Sequence, residues 1–128
     1  MFERVWGRIK MSYIALATNS FDDVTFFYGE SLGFPVVAEW DRPNGRGRRY
    51  DLGGLRLEVL DNNRERQRLE LNNPGERTHI VVEVDDLEVV RRRVQVITPD
   101  PQTVSWGAQL FQLRDPDGIP VTFLKWLP

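Results

Sequence analysis

Cysteine is absent from this 128-residue chain, and histidine occurs once, at His79. The first absence excludes disulfides, thiolate zinc sites and a cysteine nucleophile together. The second excludes a paired-histidine metal site and leaves no spare base for a Ser-His-Asp relay. No apolar run approaches the ~18 residues that a membrane helix requires. An excess of one charge is missing too, since 17 Lys and Arg stand against 19 Asp and Glu for a net charge of −2. Nothing in that balance draws the chain to nucleic acid or to an anionic membrane. All the basic residues except Lys10 and Lys125 are Arg, and they are spread along the chain. The opening Met1-Phe2-Glu3-Arg4 lacks a basic-then-apolar signal pattern, so a cytoplasmic protein is expected. With 41% hydrophobic and 28% charged residues, the composition suits one globular domain over residues 1–128.

What is present is a repeat. Tyr13 to Ala17 alternates like a strand, and Ser20 with Asp23 reads as an N-cap and capping box. Val24, Phe27, Tyr28 and Ser31 follow at helical spacing, with Gly33 as the stop. Phe34 to Trp40 is a second strand, Pro43 to Gly47 a flexible loop, Arg48 to Leu52 a third strand, and Leu55 to Leu60 a fourth after a Gly53-Gly54 turn. The second half replays the order. His79 to Val84 is a strand, and Asp85-Asp86 caps a helix whose apolar face is Leu87, Val90, Val94 and Ile97. Three strands fit within Pro101–Thr103, Trp106–Leu113 and Pro120–Trp126. Tyr13 superposes on His79 with a shift of 66 residues and Glu58 on Thr122 with one of 64, which two copies of one unit would give. Module one thus spans about 11–61 and module two about 78–127. The linker between them, 62–77, has an Asn72-Asn73-Pro74-Gly75 breaker and room for one helical turn.

The prediction is an α+β fold of two tandem β-α-β-β-β modules forming a half-open, cup-shaped sheet with a concave cleft. Alternation assigns the faces. Ile14, Leu16, Leu57, Val59, Ile80, Val82, Val121 and Phe123 should pack under the helices. Tyr13, Ala15, Arg56, Glu58, His79, Val81, Thr122 and Leu124 should point into the cleft. Trp40, Trp106, Trp126, Tyr50 and Phe111 are core or interface aromatics, some of which line the cleft. Arg91-Arg92-Arg93 reads as a solvated helix face, and Trp6, in an extension outside the repeat, as a residue of a dimer seam or rim.

The tail carries the most specific signal. Asp115-Pro116-Asp117-Gly118 is a tight-turn sequence, and Pro120 to Trp126 supplies a strand directly after it. This ending resembles the last hairpin of the vicinal oxygen chelate superfamily, the glyoxalase/bleomycin-resistance/dioxygenase proteins. Phe27-Tyr28 with Leu32-Gly33-Phe34, and Thr78 to Leu87, resemble the family in the same order, so the likeness covers roughly Ser12 to Trp126. In metal-dependent members four positions project into the cleft, and the resemblance carries them onto Tyr13, Glu58, His79 and Thr122. Glu58 and His79 keep ligand chemistry suited to Zn, Ni, Mn or Fe. Tyr13 stands where a His, Gln or Glu is expected and Thr122 where a Glu is expected, and neither ionises near neutral pH.

The residues therefore carry two readings. Glu58 is either the partner of Arg56 or another inward Arg, or a desolvated proton shuttle. His79 is either a hydrogen-bonded cleft residue donating to Glu58, or a ligand-binding group or base. The resemblance implies a small-molecule-binding protein that takes an aromatic or antibiotic-like ligand in a metal-free cleft, with an antibiotic-resistance role. Tyr13, Tyr50, Arg56, Glu58, His79, Trp106 and Thr122 would line that cleft, and no cofactor would be needed. The alternative is a divalent-metal-dependent lyase, isomerase, thiol transferase or extradiol-type dioxygenase using Glu58 and His79. A homodimer is expected in either case, because an open cup leaves sheet edges to cover.

Overall fold

Two short helices and eight strands follow one another in the order that the repeat predicts. The structure, a computed structural model, describes residues 7–72 and 77–128, so Trp6 and most of the Asn72–Gly75 breaker lie outside the described residues. The first half comprises β1 (Tyr13–Thr18), α1 (Phe21–Phe26) with a wider π turn (Phe27–Ser31), β2 (Val36–Arg42), β3 (Gly45–Asp51) and β4 (Arg56–Asp61). A 3-10 turn (Asn62–Arg64) leads out of it. The second half comprises β5 (Ile80–Glu83), α2 (Leu87–Arg93), β6 (Gln102–Val104), β7 (Ala108–Arg114) and β8 (Pro120–Trp126).

Each half builds one four-stranded mixed sheet, ordered β1-β4-β3-β2 and β5-β8-β7-β6. In both, the first and last strands run parallel and the other neighbours antiparallel. Neither sheet closes into a barrel. One apolar cluster joins the helix-facing sides: Val24, Tyr28, Tyr50, Leu57 and Val59 from the first half, with Leu87, Phe111, Val121 and Phe123 from the second. Burying side chains of this size stabilises by about 1.5–3 kcal/mol each. Gly29 lets the helix sit directly on β3, since a Cβ there would lie 3.3 Å from the Tyr50 ring.

Several local expectations differ from what forms. The Pro43–Gly47 loop is a tight two-residue turn, with Gly45 to Gly47 already in β3. Arg46 holds it there by donating from Nε and Nη2 to Asp61 (3.0 and 2.8 Å) while its guanidinium lies 4.3 Å from the Phe21 ring centroid. The Ser20 capping box is not made. Ser20 makes no side-chain cap bond, and its N–H donates instead to Thr18 Oγ1 at 2.9 Å. Asp86 does cap α2, accepting from the amides of Glu88 and Val89. That helix stops at Arg93 because the chain turns extended at Val94 and the Gln95 amide donates to Ser31 O at 2.7 Å. Ile97, expected on its apolar face, is consequently 97% exposed. Ile14 is 52% exposed rather than packed under a helix, for it sits on an edge strand.

The Asp-Pro-Asp-Gly turn does more than reverse the chain. Asp115 is buried, and its Oδ1 accepts from the amides of Asp117 and Ile119, both at 2.9 Å. Its Oδ2 accepts from the Tyr28 hydroxyl at 2.7 Å, tying the first helix to the second sheet. Burial raises the Asp115 pKa above 3.8, while the Tyr28 and backbone donors pull against that shift. Burial, reinforced by the Asp115 charge, raises the Tyr28 pKa so far that the phenol stays protonated and remains a donor.

Candidate functional site

The faces turned away from the helices carry two polar groups, one on each sheet. On the first, strand register sets Arg49 opposite Glu58 and Glu58 opposite Ala15. Arg49 donates to Glu58 Oε2 from Nε (3.0 Å) and Nη2 (2.7 Å). Its guanidinium lies 4.1 Å from the Tyr13 ring centroid and 5.9 Å from that of Trp40. Such stacking is worth roughly 0.5–2 kcal/mol, more where water is excluded. Glu58 is only 6% exposed, so its charge is compensated inside the protein rather than by solvent.

On the second sheet the group is uncharged apart from what His79 itself can carry. Thr122 Oγ1 lies 2.9 Å from His79 Nε2, and Gln112 Nε2 lies 3.1 Å from both. Both neighbours address the same ring nitrogen. In the tautomer with its proton on Nδ1, His79 accepts at Nε2 from the Gln112 amide. Thr122 is buried, whereas His79 is exposed just before β5. Farther along this face Trp106 and Trp126 meet edge to face at 5.4 Å, each about half exposed. The Trp126 indole N–H donates to Glu83 Oε1 at 2.9 Å.

The seven residues predicted for the cleft are thus distributed as follows. Tyr13 and Glu58 come together through Arg49, while His79 and Thr122 meet directly with Gln112 against both. No hydrogen bond or ion pair among the described residues joins the two groups. His79 therefore bonds Thr122 and Gln112, not Glu58. Arg56 shares the Glu58 face, half-buried and opposite Tyr13, but the partner of Glu58 is Arg49. Tyr50 is corrected outright: it is fully buried on the helix side, opposite Leu57, and its hydroxyl donates to Thr25 O at 2.9 Å. Burial raises its pKa. Trp106 belongs to the aromatic pair and not to either polar group.

Arg49, Gln112 and Glu83 were not foreseen, although the turns hold the signal for two of them. Four residues outward from Gly53 and Gly54 are Arg49 and Glu58; five either side of Asp117 are Gln112 and Thr122.

Among the described residues no three His, Asp or Glu side chains gather closely enough to hold an ion. Glu58 has one oxygen, Oε2, committed to the Arg49 guanidinium. A cavity of about 380 Å³ beside the β2–β3 hairpin adjoins the first group at Trp40 and is lined in part by Arg46 and Arg48. Its cations are engaged already, Arg46 with Asp61 and Asp22, and Arg48 with Glu39. Among the described residues no helix is long and apolar enough to cross a membrane.

Comparison with known proteins agrees with this architecture. No match was found among curated proteins. Solved structures match across nearly the whole chain. A glyoxalase/bleomycin resistance protein/dioxygenase from Nocardioides superposes with a TM-score of 0.68 at 18% identity, covering 98% of this chain and 89% of that one. TnmS3, an antibiotic-binding protein from Streptomyces sp. CB03234, gives 0.63 at 20% identity, covering 92% and 97%. A bleomycin-binding protein complexed with bleomycin gives 0.62 at 22% identity, covering 91% and 98%. These likenesses speak for the fold, while the sequence itself matches a family model over residues 10–123. With that match spanning most of the repeat, the chain belongs to the Glyoxalase/Bleomycin resistance protein/Dioxygenase superfamily.

Proposed function

We infer that the protein binds an organic small molecule with a polar end and an aromatic or apolar body, without a metal ion, and that it does so as a homodimer. The observation that carries this reading is the Arg49–Glu58 pair under Tyr13. The guanidinium already supplies the positive charge that a metal would bring to Glu58, and Tyr13 stacks on it instead of offering a ligand atom. His79, Gln112 and Thr122 add neutral donors and acceptors for a polar ligand end. The half-exposed indoles of Trp106 and Trp126 offer flat apolar area at small entropic cost. Two relatives of the same fold, one antibiotic-binding and one bleomycin-binding, support this ligand class. Support for the dimer comes from β1 and β5, edge strands that expose Ile14 and Val81.

Metal analysis of the purified, dialysed protein tests the reading together with a thermal-shift screen over aromatic antibiotics, thiol conjugates and keto acids. The expected outcome is less than a tenth of a divalent ion per chain (roughly the level of adventitious binding) and a raised melting temperature with an aromatic ligand. Retention of one metal per chain through Glu58 and His79 would replace this reading with the metal-dependent one. Sedimentation as a 14.9 kDa species at micromolar concentration would remove the dimer.

A further inference from the structure

The helix side of the second sheet is incompletely covered. Because α2 stops at Arg93, the space between its last turn, β5 and the Leu32-Gly33-Phe34 exit of the first helix is left as a crevice of about 470 Å³. Its walls include Phe34, Val82, Val84, Val90 and Phe123, and every lining residue except Arg93 is apolar. Phe34 and Phe123 stack at 6.4 Å and form its floor. Arg93 makes no hydrogen bond or ion pair with any described residue, whereas its neighbour Arg91 is held by Glu88, Thr98 and Asp100.

We propose that this crevice is a binding site for a monoanionic amphiphile, an aliphatic carboxylate whose tail lies against the valines and Phe34 while its carboxylate pairs with Arg93. The volume falls in the range of small-molecule sites, about 300–1,000 Å³. The Arg93 guanidinium, without a partner among the described residues, stands at one side of apolar walls and sets the charge and the orientation of the ligand. A protein partner fits the place less well. None of the crevice walls is among the large exposed hydrophobics, which include Ile14, Phe26, Val36, Val81, Ile97 and Trp106. A flat protein interface needs about 800 Å² of surface from each partner, whereas these half-buried walls form a concavity. The site is on the opposite side of the sheets from Glu58 and Thr122 and is independent of the ligand proposed for that face.

Isothermal titration of the whole protein with sodium dodecanoate, below its micelle concentration, tests the proposal. Dodecyltrimethylammonium serves as the probe of opposite charge. The expected result is one dodecanoate per chain and at least tenfold weaker binding of the ammonium. Arg93→Ala should weaken dodecanoate about tenfold, and Arg92→Ala should leave it unchanged. Val90→Trp should abolish binding by filling the crevice, and circular dichroism reports whether that variant is folded. If it is not, the Arg93→Ala and Arg92→Ala pair decides. Equal binding of the two amphiphiles, an unaltered Arg93→Ala, or saturable binding that survives in folded Val90→Trp would each overturn the proposal.

Discussion

The two halves share a strand order but divide the work of holding the molecule together unequally. In the first, six α-helical residues run on into five of π turn, and this longer helix reaches across to the second sheet. Tyr28 donates to Asp115, Ser31 O accepts from Gln95, and Phe34 stacks on Phe123. In the second half a seven-residue helix ends before it covers its own sheet. The faces differ as well: a desolvated ion pair on the first sheet, a half-wet His79-Gln112-Thr122 triad on the second. Repetition of topology therefore does not entail repetition of energetics. One half anchors, and the other is free to keep open surface.

The strongest challenge to that division is Asp115→Ala. It removes three accepted hydrogen bonds and strands a buried tyrosine hydroxyl, so a loss of about 3 kcal/mol in urea unfolding is expected. A loss below ~1 kcal/mol, comparable to a surface change, would deny the first helix its anchoring role. The same residue gives a pH test. Its folded-state pKa is raised above 3.8, so the folded protein binds the extra proton between that value and the raised one. The stability it contributes is present below this window and is lost as pH rises through it. Asp115→Asn should lack that decline in a pH series of melts.

Next in size is the contrast between the two polar groups. Glu58→Gln leaves Arg49 partly buried with a neutral partner and should cost about 2 kcal/mol. Thr122→Val should cost less than ~1 kcal/mol, since exposed His79 and the Gln112 amide can turn to water. Equal losses in parallel denaturation curves would erase the distinction. The smallest effect concerns the helix starts. Asp86→Ala should lose about 1 kcal/mol and Ser20→Ala under ~0.5 kcal/mol, because only the first side chain caps amides.

Much of this arrangement was legible beforehand because it rests on period and turn chemistry. Leu57, Val59, Ile80, Val121 and Phe123 alternate as a buried sheet face must, and they are buried. The Gly53-Gly54 and Asp115–Gly118 turns lie where their residues demand. What escaped depends on contacts distant in sequence. Ser20 has the right residue type for a cap, but Thr18 takes its amide. Ile97 has helical spacing from Val94, yet a bond from Gln95 to Ser31 draws the chain off the helix first. Tyr50 reads as a cleft aromatic until its register opposite Leu57 turns it to the core. Glu58 was expected to find an inward arginine; which one depended on pairing across the hairpin and not on spacing within a strand.

Trp40 lies directly opposite Gly47 in the β2–β3 hairpin, and any Cβ at that position would overlap the indole. The pair acts as an index mark for the β2–β3 register. A slip by one residue would bring Arg46 or Arg48 beneath the indole and every following side chain to the wrong face. Counting from the mark, Arg49 arrives opposite Glu58 two residues later. The mark holds the Trp40 indole on the Arg49 side, 5.9 Å from that guanidinium, while the Gly53-Gly54 turn sets Arg49 opposite Glu58. A change at Gly47 would push the Trp40 indole off Arg49 without touching Glu58, as a mis-cut tooth in a gear train shifts a wheel that it never meets.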